Sequence, residues 1–176
     1  QDFQAKGMEK LIVDLRDNPG GVLSSVCDVL RQILPEGLIV YTEDKYGEKQ
    51  EMKCDGDTPI DIPLAVLING NSASASEILA ASVQDNERGT LVGTTSFGKG
   101  IVQLLVTYPD GAGMQYTESR YFTPSGRSIH KVGVEPDVTV ELDEDYDASI
   151  RGVNAENDNQ LETALETLRK EIESGK

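Results

Sequence analysis

Residues 63–85 read PLAVLINGNSASASEILAASVQD. The first seven form a near-continuous apolar run that ends in GNSAS, a turn of small polar residues, as a buried strand would. Beyond the turn, Ala75, Ile78, Leu79, Ser82 and Val83 recur at helical spacing, and Asn86 to Gly89 supply an exit. A buried strand that feeds directly into a helix is the building unit of a parallel sheet.

The same unit occurs upstream. KLIVDL (10–15) is short, β-branched and closed by the Gly/Pro turn RDNPGG (16–21). Val22, Val26, Val29, Leu30 and Ile33 then predict a helix, stopped by Pro35 and Gly37. LIVYTED (38–44) and KQEMK (49–53) turn about Gly47 as a hairpin at a sheet margin, which DGDTP closes. TLVG (90–93) is a third short strand, TTSFGKG (94–100) a loop, and IVQLLVTYP (101–109) a longer strand that returns through DGAG as MQYTESRYFTP. The expectation is an α/β fold: a small twisted mixed sheet with packed helices, parallel at its centre and antiparallel at its edges. No period of 20–50 residues repeats, which excludes solenoids and arrays.

A length of 176 residues fits one domain. Asp and Glu number 31 against 16 Lys and Arg, a net charge of −15, so a phosphate backbone would meet an opposing field and nucleic acid is not expected as a partner. No apolar run approaches the ~18 residues of a membrane span. Cys27 and Cys54 have no CxxC spacing and no partner histidines, so neither a zinc site nor a redox motif is supported. The opening QDFQAKGMEK has neither a starting methionine nor the layout of a targeting segment, and reads as a cut through something larger.

Charge divides unevenly. Residues 135–176 hold 13 acids against 4 bases, more than half of the acidic excess. DEDYDASIRGVNAENDN (143–159) reads as a linker, and Leu161, Leu165, Leu168 and Ile172 as the stripe of an amphipathic C-terminal helix. The expected organisation is therefore an incomplete core over 1–142 followed by an acidic linker and helix over 143–176.

Three loops can carry chemistry. At a strand-to-helix turn, Ser74 would present its hydroxyl at a helix N-terminus, where the unpaired N–H of Ala75 suits a developing oxyanion. The bland alternative is a capping box, since Ser74-Ala75-Ser76-Glu77 fits S-x-x-E. A nucleophilic serine needs a base. The sole histidine, His130, lies among turn residues with nothing to aim it at the helix, so it reads as a surface or packing residue. Lys99, between Gly98 and Gly100, is the next choice: burial would ease its deprotonation, and Gln103 on the same strand face would orient it. The alternative there is an exposed lysine in a glycine turn. Gly93 to Lys99 also spells G-x-x-x-x-G-K, but Gly100 replaces the Ser/Thr that reaches Mg²⁺ and a strand follows, so the phosphate-loop reading fails. Glycines in RDNPGG allow close backbone approach, and Gly20 or Gly21 is a candidate second oxyanion donor.

Taken in order, LIVDLRDNPGG, NSASASEILAASVQDN, GTTSFGKGIVQ and IHKVGVEPD resemble the catalytic core of the C-terminal processing peptidases (tail-specific proteases, peptidase family S41) over roughly residues 8–142. The resemblance implies a Clp protease/crotonase-like core and a Ser/Lys-dyad serine endopeptidase. Its nucleophile falls on Ser74, its general base on Lys99, 25 residues further, and its glutamine on Gln103. Oxyanion donors would be the N–H groups of Ala75 and of Gly20 or Gly21. Asp85 matches a family position that affects activity, and reads here as a support at the helix end. Ser72 and Ser76 receive no chemical role. No cofactor or metal is implied, and the partners are protein or peptide substrates.

Family members carry a PDZ domain that grips substrate C-termini by strand addition, so one is expected in the parent chain. A missing opening strand would leave a sheet edge to be filled by another segment or by a second copy, giving a homo-oligomer. An extracytoplasmic location, periplasm or cell envelope, follows from the resemblance only. The alternative from another class is a non-catalytic ligand- or protein-binding domain on the same core, against which the joint presence of Ser74, Lys99 and Gln103 weighs.

Overall fold

The computed structural model describes residues 5–57, 60–144, 146 and 157–174. Its elements are β1 (Leu11–Asp14), α1 (Leu23–Leu30), β2 (Gly37–Asp44), β3 (Lys49–Cys54), β4 (Leu64–Ile68), α2 (Ala75–Asp85), β5 (Thr90–Gly93), β6 (Ile101–Thr107), β7 (Gly113–Phe122), β8 (Val138–Thr139) and α3 (Asn159–Ser174). The α/β class holds, and the two kinds of strand separate. β1-β4-β5-β8 form an all-parallel sheet, and β3-β2-β7-β6 an antiparallel one. The two-residue strand β8, from PDVTV, is too short to be seen by its pattern.

β4 lies inside the parallel sheet with both faces covered, and all five of its residues are buried. Leu64, Val66 and Ile68 enter the main core with Leu91 of β5, Leu30 of α1, Ile78 and Val83 of α2, and Ile39 and Tyr121 of the second sheet. Alternation sends Ala65 and Leu67 to the opposite face, where Val92 and α3 residues Ala164 and Leu168 cover them. Each fully buried aliphatic side chain of this kind contributes about 1.5–3 kcal/mol over an exposed one. The near-continuous apolar run of residues 63–69 thus reflects helices on both sides.

Two apolar stripes are rotated from their expected positions. In α1 the core-facing residues are Val26, Cys27 and Leu30, while Val22 is 65% and Val29 48% exposed. The helix has only eight residues, and Cys27 occupies the place assigned to Val29. In α3 the buried residues are Gln160, Ala164 and Leu168, with Leu161 beside them, whereas Ile172 is 42% exposed. Small Ala164 lets the helix approach the sheet closely, which a leucine stripe centred on Leu165 would not. Most of the expected linker, 145 and 147–156, lies outside the described residues. Both cysteines are buried free thiols.

Candidate active site

The three serines of SASAS have different fates. Ser72 Oγ donates to the Leu15 carbonyl at 2.7 Å and accepts from the Asn69 N–H at 3.0 Å. Ser76 Oγ donates to the Asn18 carbonyl at 3.1 Å. Both tie the loop to the turn after β1. Ser74, half-buried between them, has φ 57° and ψ −116°, a left-handed backbone that costs a non-glycine residue about 1–3 kcal/mol. It borders a cavity of about 470 Å³, whose rim also includes Gly21, Ala75, Lys99, Gln103 and Tyr121.

Gly20 makes the fit between the two turns possible. Its φ is +94°, and a Cβ there would stand 2.5 Å from the Ala73 carbonyl oxygen and 2.7 Å from the Ala75 nitrogen. Its N–H donates to Asn18 Oδ1 at 2.9 Å. Among the described residues, the N–H groups of Gly21 and Ala75 have no acceptor, and both residues border the cavity.

Of the expected capping box, the Glu77 half is hydrogen-bonded, while the Glu77 N–H turns to the Ser74 carbonyl rather than to its hydroxyl, and Glu77 does more than cap. Its carboxylate is fully buried. Oε2 accepts the N–H groups of Ser74 and Lys99, each at 2.8 Å, while Oε1 accepts Ser96 Oγ and the Gly98 N–H, each at 2.6 Å. A buried carboxylate with four donors is fully compensated, and here it joins the start of α2 to the loop before β6. Sequence reasoning assigned Glu77 only its local role. The signal for more was an isolated acid among the small and apolar residues of ASEILAASV. Tyr121, missed altogether, is buried with its hydroxyl bonded to the carbonyl oxygens of Lys99 and, at 3.3 Å, Ser74. Burial, with the Glu77 charge added, pushes that phenol well above its usual range and keeps it a donor.

The IHKVGVEPD segment braces the lysine loop. Lys131 N–H donates to the Gly98 carbonyl at 2.8 Å, Ser96 N–H to that of Val134 at 3.1 Å, and Val134 N–H to Ser96 Oγ at 2.7 Å. Only glycine fits at position 98, where φ is +90° and a Cβ would lie 3.0 Å from two backbone nitrogens. His130 packs beside Gly100, away from the cavity wall. Lys99 itself is exposed, so the burial invoked for it from sequence is not supplied by these residues. Gln103 Oε1 accepts from Gln115 Nε2 at 3.2 Å rather than holding Lys99. At the far end of α2, Asp85 accepts the Ser125 N–H at 2.9 Å and pairs with Arg127.

The chain as a whole is similar to known proteins. The family model described as peptidase family S41 matches residues 1–140. The chain belongs to peptidase family S41. The carboxyl-terminal-processing protease of Synechocystis sp. is 47% identical over 139 residues, 79% of this chain and 33% of that protein. That of Picosynechococcus sp. is 41% identical over 169 residues, 96% of this chain and 40% of its own length. The chain thus spans between a third and two fifths of these S41 relatives. Among solved structures, the photosystem II D1 C-terminal processing protease superposes with a TM-score of 0.74 at 38% identity, covering 80% of this chain and 36% of that one.

Proposed function

We propose that this S41 core belongs to a serine endopeptidase of the C-terminal processing type, with Ser74 as nucleophile and Lys99 as general base. The observation that carries this reading is the shared Glu77 carboxylate: it fixes the backbones of Ser74 and Lys99 on one cavity, beside two N–H groups without acceptors.

In the reaction, Ser74 Oγ attacks the carbonyl carbon of the scissile peptide as Lys99 Nζ takes up its proton. The oxyanion forms between the N–H groups of Ala75 and Gly21. Gly21 is preferred to Gly20 because the Gly20 N–H is already bonded to Asn18. Collapse breaks the C–N bond, and the leaving amine takes the proton from Lys99. Water then adds to the acyl ester with Lys99 again accepting a proton, and Ser74 is regenerated. Gln103 lines the same cavity and is assigned to orienting the lysine once substrate fills it.

Substrates are proteins or peptides, a PDZ domain elsewhere in the parent would deliver their C-termini, and the location is extracytoplasmic. Residues 1–142 act as the core and 143–176 as an appended linker and helix. One observation favours a second reading, a non-catalytic binding domain: among the described residues, Lys99 has no hydrogen bond to Ser74. Cleavage of an unstructured protein such as casein by the full-length parent separates the two. The peptidase reading expects cleavage that both Ser74→Ala and Lys99→Ala abolish, and the binding reading gains if the variants cut as well as wild type.

A further inference from the structure

Arg16 opens the turn that leads to Gly20 and Gly21, and only 8% of its side chain is exposed. Its guanidinium is saturated. Nε and Nη2 donate to Asp14 at 3.0 and 2.8 Å, Nη1 and Nη2 to the two oxygens of Asp158 at 2.9 and 2.7 Å, and Nη1 also to Gln160 Oε1 at 3.1 Å. All five N–H donors are therefore used. Asp158 stands 142 residues along the chain, where its Oδ1 also accepts the Leu161 N–H at 2.9 Å and caps α3.

The other side of the turn is equally fixed. Asp17 N–H donates to Asn69 Oδ1 at 3.0 Å, the Asn18 carbonyl accepts the Ala73 N–H at 3.0 Å, and Asn18 Oδ1 accepts the Gly20 N–H. Residues 16–20 thus form a short rigid link between the N-terminus of α3 and the loop that carries Ser74.

We propose that Asp158 is a positioning residue: through Arg16, the docked C-terminal helix sets where the Gly21 N–H stands across the cavity from that of Ala75. This rests on the reading of Ser74 and Gly21 given above. Without the Asp158 charge, an enclosed guanidinium loses a bidentate partner and must turn toward water, taking the start of the turn with it. A shift near 1 Å is enough to matter for an oxyanion donor.

The test uses the full-length protein and three readouts: Ser74 labelling by a fluorophosphonate, hydrolysis of a quenched peptide, and amide hydrogen exchange. Asp158→Asn keeps a good helix cap while removing the charge. The expected result is a fall of roughly 10- to 100-fold in labelling rate and kcat, KM within about twofold, and faster exchange in residues 16–22 with β4 unchanged. Asp158→Glu should recover part of the loss. Should Asp158→Asn not fold, Gln160→Glu keeps an acceptor for Arg16 Nη1 and gives up the Gln160 Nε2 bond to the Val140 carbonyl, whereas Gln160→Ala removes both, and only the latter should lower labelling severalfold. Labelling at the wild-type rate, a loss confined to KM, or faster exchange throughout the fold would each overturn the proposal. A wild-type protein unlabelled at Ser74 would instead defeat the nucleophile assignment, and the exchange of residues 16–22 would still decide the coupling.

Discussion

Ser74 and Lys99 donate their backbone N–H groups to the same oxygen atom, Oε2 of Glu77, each at 2.8 Å. Two residues 25 positions apart in the chain are thus registered by one buried acceptor. Glu77→Gln must turn an NH₂ toward one of the two donor pairs, whichever rotamer it takes. The expected cost is about 1–3 kcal/mol for each donor left unpaired, together with a large loss of Ser74 reactivity. Thermal unfolding and fluorophosphonate labelling check both.

Gly20 and Gly21 should respond oppositely to the same change. A methyl group at Gly20 meets Ala73 and Ala75 backbone atoms at 2.5 and 2.7 Å, while at Gly21 nothing stands within 4 Å. Gly20→Ala is expected to lower the unfolding temperature by several degrees, as a shift of about 1–3 kcal/mol does in a domain of this size. Gly21→Ala should leave it unchanged. Equal effects would mean that the turn does not pack on the Ser74 loop in this way.

Tyr121→Phe removes one hydroxyl from beneath both loops. The Lys99 carbonyl oxygen loses its buried donor, while that of Ser74 keeps the Glu77 and Ile78 N–H groups, so stability should fall by about 1–3 kcal/mol. Peptide hydrolysis by the full-length protein should fall through kcat more than through KM, because the ring remains to fill its space.

Acid should unfold the chain through particular carboxylates. Burial works against ionisation of Asp85, but bonds from Thr123, from the Ser125 hydroxyl and N–H, and from Arg127 outweigh it. Burial likewise opposes Asp158, and Arg16 with the Leu161 N–H outweighs it. Both groups sit below the ordinary carboxylate value. Their stabilisation is therefore complete above about pH 4 to 5 and is lost as pH falls through their lowered values. Asp85→Asn should destabilise at pH 7 and flatten the acid limb of a stability–pH curve. An unchanged limb would rule Asp85 out as a contributor.

Much of this molecule can be read locally. Continuous apolar runs closed by turns locate β1 and β4, which lie in the parallel sheet, and helical spacing locates α2, because such a stripe reports the face its own element buries. The turns holding Ser74 and Lys99 stand out because runs of small residues and paired glycines break the apolar spacing of the elements on either side. What escapes is set by distant partners. Glu77 looks like a cap until the lysine loop folds over it. Val22 and Val29 look like core until α1 turns Cys27 inward with Val26 and Leu30. Tyr121, one aromatic residue in a strand, gives no sign that its hydroxyl spans two loops. The separation of parallel from antiparallel strands into two sheets depends on pairings between remote segments, which no local period encodes.

Along β6 and β7, Leu104 lies across from Tyr116 and Val106 from Met114, and all four remain 36–46% exposed beside the outer edge of β6, which pairs with no further strand among the described residues. A bare edge with an apolar face invites strand-to-strand stacking between molecules. The surplus of 15 negative charges keeps copies apart near neutrality. That repulsion vanishes as the solution approaches the isoelectric point near pH 4.4, so on acidification colloidal failure comes before the loss of the Asp85 and Asp158 bonds, whose carboxylates titrate below the ordinary value, and purification and storage belong well above it.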